Sequence, residues 1–178
     1  MENKLLSIDN PIILTAPNAP AVTTVASADP TDCNQTDGTI SITAVGGTAP
    51  LEYSIDGGAT YQTNGGNYTN LAGGTYQIRA RNAGGSCVVT YPDVTLTAPV
   101  APSITTVAST DPTDCGVTDG TITVTASGAG SLQYSIDGGL TWQASDVFSA
   151  LAGGTYNIAV RNIDGSCMVS AATSEVLT

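Results

Sequence analysis

Short runs in which every second residue is apolar recur along the chain and set the reading of its fold. Ile40, Ile42 and Ala44 share one face, as do Leu51, Tyr53 and Ile55, and Tyr76, Ile78 and Ala80. The alternation returns at Ile122 and Val124, at Leu132, Tyr134 and Ile136, and at Tyr156, Ile158 and Val160. A period of two marks a strand with one face buried and the other in water. Between the runs stand VGGTAP, DGG, NGG and AGG, which are turn material. No long segment carries the three-to-four spacing of an amphipathic helix. The pattern predicts an all-β chain of two tandem Ig-like β-sandwich repeats.

The tandem reading rests on an internal repeat. APAVTTVASADPTDCNQTDGTISITA, from Ala19, lies over APSITTVASTDPTDCGVTDGTITVTA, from Ala101, without a gap. Cys33 and Cys115 are 115 − 33 = 82 positions apart, and Cys87 and Cys167 are 167 − 87 = 80 apart. The two copies are placed at residues 19–98 and 99–178. TAPVAP (Thr97 to Pro102), with two prolines, forms a short semi-rigid linker. ILTAPNAPAVTTV, from Ile13, resembles TLTAPVAPSITTV, from Thr95, so residues 1–18 read as the last strand of a preceding repeat. The chain is then expected to be a segment of a longer array. The alternative is a fibre subunit whose Ile12, Ile13 and Leu14 are donated to a neighbour's sheet edge.

Composition narrows the chemistry. Charged residues make up 11% of the chain, with fifteen acids against four bases and a net charge of −11. The bases are Lys4, Arg79, Arg81 and Arg161, too few to neutralise a phosphate backbone, so nucleic acid is excluded as a partner. Anionic membrane surfaces repel such a chain, and no apolar run reaches membrane-spanning length, so direct membrane insertion is not expected. His is absent, which removes the commonest general base and transition-metal ligand.

SIDGGLTW (Ser135 to Trp142) has the pattern of the Asp-box of sialidases and related propellers, and SIDGGATY (Ser54 to Tyr61) repeats it. A sialidase needs several arginines for its substrate's carboxylate, and the chain holds three. The motif is therefore read as a structural turn. In that turn Asp56 and Asp137 accept backbone hydrogen bonds, and Gly58 and Gly139 supply positive φ. No catalytic residue is assigned, and the chain is expected not to be an enzyme. LAGGTY precedes an alternating strand in each copy and places Tyr76 and Tyr156 at a tyrosine corner.

Two acidic loops offer the best metal candidates. DPTDCNQTDG contains Asp29, Asp32 and Asp37, and DPTDCGVTDG contains Asp111, Asp114 and Asp119. Three carboxylates with nearby carbonyls suit calcium. Asp beside Pro, Cys or Gly equally suits a self-capping turn, and both readings stay open. No other cofactor is implied. Tyr68, Tyr91, Trp142 and Phe148 are the aromatic candidates for contact with surface glycans, with core packing as the competing reading for Tyr68 and Phe148.

Each copy carries two cysteines. A small sandwich with few aromatics has a thin core, and a disulfide closing a loop of about fifty residues adds roughly 2–4 kcal/mol. The pairs Cys33–Cys87 and Cys115–Cys167 are therefore expected, with an oxidising, extracellular setting. One difficulty attends this pairing. In Ig topology the two loops concerned lie at opposite ends of a sandwich.

The combined motif C…TDGTI-x-[IV]-T…YSIDGG…LAGGTY-x-[IV]…RN…GSC resembles the SprB-type repeat of very large surface proteins of the Bacteroidota, gliding adhesins among them. The resemblance runs from Ala19 to Thr178. It departs in PLEYS and SLQYS, where an aromatic often follows the proline. It implies a structural or adhesive stalk module at the bacterial cell surface. Its partners would be neighbouring repeats of the chain or identical subunits.

Overall fold

In the computed structural model, which describes residues 16–178, the alternating runs become strands. The first copy supplies β1 (Pro20–Ala28), β2 (Gly38–Gly46), β3 (Glu52–Ser54), β4 (Asn67–Leu71), β5 (Gly74–Tyr76), β6 (Arg79–Arg81), β7 (Val89–Thr90) and β8 (Val94–Leu96). The second supplies β9 (Ser103–Thr110), β10 (Gly120–Ser127), β11 (Leu132–Ser135), β12 (Val147–Leu151), β13 (Gly154–Tyr156), β14 (Ala159–Asn162), β15 (Val169–Ser170) and β16 (Glu175–Leu177). Among the described residues the only helical element is a 3₁₀ turn at Ala83–Gly85. The protein is all-β.

Strand order repeats with the sequence. The first copy forms sheets β1-β2-β4 and β3-β6-β7 and the pair β5-β8; the second forms β9-β10-β12, β11-β14-β15 and β13-β16. Raising every label by eight converts one set into the other, so the sequence repeat is a repeat of topology.

The described residues divide into two compact units. The first holds residues 16–26, Ile40–Tyr68 and Tyr76–Val94; the second holds Ser27–Thr39, Thr69–Thr75 and Thr95–Thr178. The division thus runs through the first copy, and the loop that carries Cys33 belongs to the second unit.

In the first unit Ile40, Ile42, Tyr53, Tyr68, Ile78 and Ala80 are buried. In the second, Ile122 and Val124 of β10 pack with Leu132 of β11, Ile158, Val160 of β14 and Leu177 of β16. The side chains thus come from β10 in one sheet, from β11 and β14 in a second and from β16 of the β13-β16 pair, sheets that pack over a shared core as in a β-sandwich. Burying each such Ile, Leu or Val contributes about 1.5–3 kcal/mol. Tyr156 donates its hydroxyl to the Ala152 carbonyl at 2.8 Å, the corner expected at that position.

The two ends of this sandwich are distinct. At one end a Cβ on Gly120 would meet the Leu151 carbonyl, the Leu177 side chain and Pro112. At the other a Cβ on Gly128 would meet Leu132 and Pro102. The Cys115 loop, between β9 and β10, belongs to the first end. The Cys167 loop, between β14 and β15, belongs to the second, where Ile163 N–H donates to the Ser131 carbonyl.

Candidate functional site

Cysteine pairing departs from the expectation. Cys33 is bonded to Cys167, 134 positions away in sequence, with Cα atoms 5.1 Å apart, while Cys87 and Cys115 are free thiols. Neither Cys33–Cys87 nor Cys115–Cys167 forms. The reason is topological. Cys33 and Cys87 fall in different compact units, and Cys115 and Cys167 sit at opposite ends of one sandwich. Cys33 and Cys167 share the second unit, so the bond joins a loop of the first copy to a loop of the second.

Polar contacts build this joint around the bond. Asp32 Oδ1 accepts the N–H of Cys33 at 2.7 Å and the N–H of Cys167 at 2.5 Å. One carboxylate therefore orients both halves of the disulfide. Asn162 Nδ2 donates to the linker carbonyl of Val100 at 3.1 Å and to the Ser166 hydroxyl at 3.1 Å. Asp164 accepts the Ser166 N–H and hydroxyl, and these bonds hold its carboxyl below the usual carboxylate range. The Pro99 carbonyl oxygen lies 3.1 Å from Cys33 Sγ. Cys167 itself has φ +60° and is 3% exposed.

The six aspartates considered for calcium are each engaged with backbone. Asp29 accepts the Thr97 N–H at 2.9 Å, and its counterpart Asp111 accepts the Thr178 N–H at 2.8 Å. Asp37 accepts both the N–H and the hydroxyl of Thr31, and Asp119 does the same for Thr113. In both cases the threonine hydroxyl, then its N–H, lowers the carboxyl's pKa. Asp114 accepts the Cys115 N–H at 2.7 Å, as Asp32 does for Cys33. Among the described residues, the group of three metal-ligating side chains found within 4.8 Å is Asp32, Cys33 and Cys167. Two of those three are spent in the disulfide.

Both Asp-boxes close as turns. Ser54 and Ser135, each 1% exposed, donate to Asp56 and Asp137 at 2.6 and 2.7 Å. The same hydroxyls accept the N–H of Gly58 and Gly139 at 2.9 Å. Thr60 and Thr141 donate N–H and hydroxyl to the two carboxylates. Gly58 and Gly139 take φ +94° and +93°, a region a side chain would strain. The Ser54 hydroxyl, then the Thr60 hydroxyl and N–H, bring the Asp56 carboxyl down to about 2. Asp137 is lowered further, chiefly by the Thr141 hydroxyl and N–H and then by Ser135.

Tyr61 and Trp142 end the two Asp-boxes and lie on these turns, and what the sequence reading missed is the arginine stacked on each. Arg81 stacks on Tyr61 at 3.7 Å and pairs with Glu52 at 2.5 Å. Arg161 stacks on Trp142 at 4.3 Å and donates to Gln133 at 2.9 Å. Glu52 faces Arg81, and Gln133 faces Arg161, across antiparallel strands. The aromatic that ends each Asp-box, Tyr61 or Trp142, and the Arg-Asn pair at the matching place in each copy, Arg81-Asn82 and Arg161-Asn162, were the available signal. The aromatic candidates for glycan contact divide accordingly. Tyr68 is buried, which pushes its hydroxyl up to about 12, and Phe148 packs against the second core. Trp142 is half-buried under its arginine, and its Nε1 donates to the Gly139 carbonyl at 2.9 Å. Ile12, Ile13 and Leu14, the candidate donor strand, lie outside the described residues.

Residues 25–60 match the SprB repeat family. The SprB match takes in Asp29, Asp32, Cys33 and Asp37 and ends at Thr60 of the first Asp-box. No curated protein matches the chain. Among solved structures, it is similar to a C-terminal 282-residue fragment of intimin, crystallised with the intimin-binding domain of the translocated intimin receptor. That match has 17% identity and a TM-score of 0.44, and covers 86% of this chain and 64% of the fragment. A second is to the N-terminal eight Ig domains of Down syndrome cell adhesion molecule, at 16% identity and TM-score 0.45, over 91% of this chain and 25% of that one. A third is to the ectodomain of mouse nectin-like molecule 4, at 14% identity and TM-score 0.33, over 91% of this chain and 64% of that one. The chain thus spans less than two thirds of each. Among the described residues, no helix is long and apolar enough to cross a membrane.

Proposed function

We propose that this protein is a non-catalytic structural and adhesive repeat module of a large bacterial surface adhesin. The observation that carries the reading is the SprB match at residues 25–60, within a unit that the chain repeats in sequence and in strand order. The chemistry of the turns supports it. Asp56 and Asp137, which would be the acids of a hydrolase, are consumed by hydrogen bonds inside their own hairpins. The mechanism is mechanical: sandwiches follow one another along the chain and a disulfide joins one copy's loop to the next. Surplus negative charge, −11 in all, favours solubility.

The setting is extracellular, where a disulfide forms and persists. Antibodies raised against the chain test this on intact cells of the source organism. Surface labelling without permeabilisation is the expected result. Labelling that appears only after permeabilisation contradicts a surface role.

A further inference from the structure

The cysteines left free are the two ends of the joint that Cys33 and Cys167 already make. Cys115 is Cys33 moved on by 82 positions, and Cys87 is Cys167 moved back by 80. Their surroundings are repeated as well. Asp114 accepts the Cys115 N–H at 2.7 Å, as Asp32 accepts that of Cys33 at 2.7 Å. The hollow beside Cys115 is lined by Asp114, Gly116, Val117, Ala152 and Gly153; the one beside Cys33 is lined by Asn34, Gln35, Ala72 and Gly73. Ala72 and Gly73 are the counterparts of Ala152 and Gly153.

The Cys87 end matches the Cys167 end in the same way. Cys87 has φ +54° where Cys167 has +60°. Asn82 Nδ2 donates to the Asn18 carbonyl at 2.8 Å, as Asn162 does to the Val100 carbonyl at 3.1 Å. Cys87 Sγ lies 3.7 Å from the Pro17 carbonyl oxygen, where the formed joint sets Cys33 Sγ 3.1 Å from that of Pro99. Cys115 is exposed and Cys87 half-buried, so both thiols are within reach of a partner.

We propose that Cys115 and Cys87 are the two halves of further joints of this kind between adjacent copies, so that for the 178-residue chain by itself Cys115 of one molecule and Cys87 of a second copy form a disulfide that joins the copies end to end. The claim rests on the repeat-module reading and names its linkage. The formed Cys33–Cys167 bond supplies the independent observation, because it joins the same two repeat positions within this chain. The contact is heterologous, each molecule offering one end of each kind, so it propagates into a linear chain rather than closing a dimer. Chemically, the Cys115 thiolate attacks a disulfide oxidant such as oxidised glutathione and displaces one glutathione thiolate. The Cys87 thiolate then attacks the mixed disulfide and displaces the second. The two cysteines are oxidised by two electrons, the oxidant is reduced to two thiols, and each cysteine gives up its proton.

The test incubates the purified full chain with oxidised glutathione and follows products by non-reducing electrophoresis and mass spectrometry of linked peptides. The wild type is expected to give a ladder of covalent oligomers carrying a Cys115–Cys87 linkage. Cys115→Ser and Cys87→Ser are each expected to abolish the ladder, and an equimolar mixture of the two to yield a single heterodimer through Cys115–Cys87. Retention of the Cys33–Cys167 peptide and of the wild-type melting temperature shows that the variants are folded. Predominant Cys115–Cys115 or Cys87–Cys87 linkage, or no linkage in the folded wild type, overturns the proposal. That result leaves the repeat-module reading standing, since surface labelling tests the latter separately.

Discussion

Asp32 accepts the backbone N–H of Cys167 at 2.5 Å, 135 residues further along the chain, while also accepting that of its neighbour Cys33. A single carboxylate therefore aligns both ends of a long-range disulfide. Asp32→Ala leaves two N–H groups without this acceptor, and hydrogen bonds to a charged group contribute about 1.5–3 kcal/mol each when well buried. Asp32 is only half-buried, so a total loss of about 1–2 kcal/mol is expected. Thermal melts of Asp32→Ala and Asp32→Asn check it. The asparagine keeps an acceptor oxygen and should fall between the wild type and the alanine variant.

Acid should weaken the Asp-box turns. The folded-state pKa of Asp56, about 2, lies below the value of a free carboxyl, about 3.9. A depressed carboxyl contributes its full stabilisation above the unfolded pKa and loses it as pH falls through the folded one. The melting temperature is thus expected to hold above pH 5 and to decline between about pH 4 and pH 2. Asp137, shifted in the same direction, adds to the same decline. In Asp56→Asn the midpoint at neutral pH should be lower and its dependence on acid shallower. An unchanged acid slope contradicts the assignment.

Trp142 is the chain's only tryptophan, so its fluorescence reports on the second Asp-box alone. Asp137→Ala removes the acceptor of the Leu140 and Thr141 N–H groups and frees the turn that Trp142 Nε1 bonds. The emission maximum should move to the red as the ring loses its place over Arg161. Asp56→Ala, in the other hairpin, should leave that emission unchanged.

Calcium should leave the fold's stability unaltered. All six candidate aspartates already accept backbone N–H groups. Melting curves in a chelator and in millimolar calcium are expected to superimpose. A rise of several degrees on adding calcium would show that some of these carboxylates bind the ion.

Local features of this protein were legible in its sequence because they depend on residues close together along the chain. The alternation at Ile122 and Val124 places both in the core, the Ser54–Asp56–Thr60 turn closes within seven residues, and Tyr156 finds a carbonyl four residues away. The disulfide was not legible. Two cysteines per copy invite pairing within the copy; Ig topology already set those loops at opposite ends, but the partner in the other copy is visible only in the fold. The stacking of Arg161 on Trp142 escaped for a related reason, since its register is set by the β11–β14 pairing and not by sequence proximity. The candidate donor strand at Ile12, Ile13 and Leu14 lies outside the described residues and gained nothing from the fold.

The central claim is that a disulfide joins one copy to the next rather than closing each copy on itself. Blocking free thiols in the folded protein, digesting it without reduction and sequencing the linked peptides by mass spectrometry tests this directly. The account predicts one internal linkage, Cys33–Cys167, with blocked thiols at Cys87 and Cys115. Recovery of Cys33–Cys87 together with Cys115–Cys167 would contradict it.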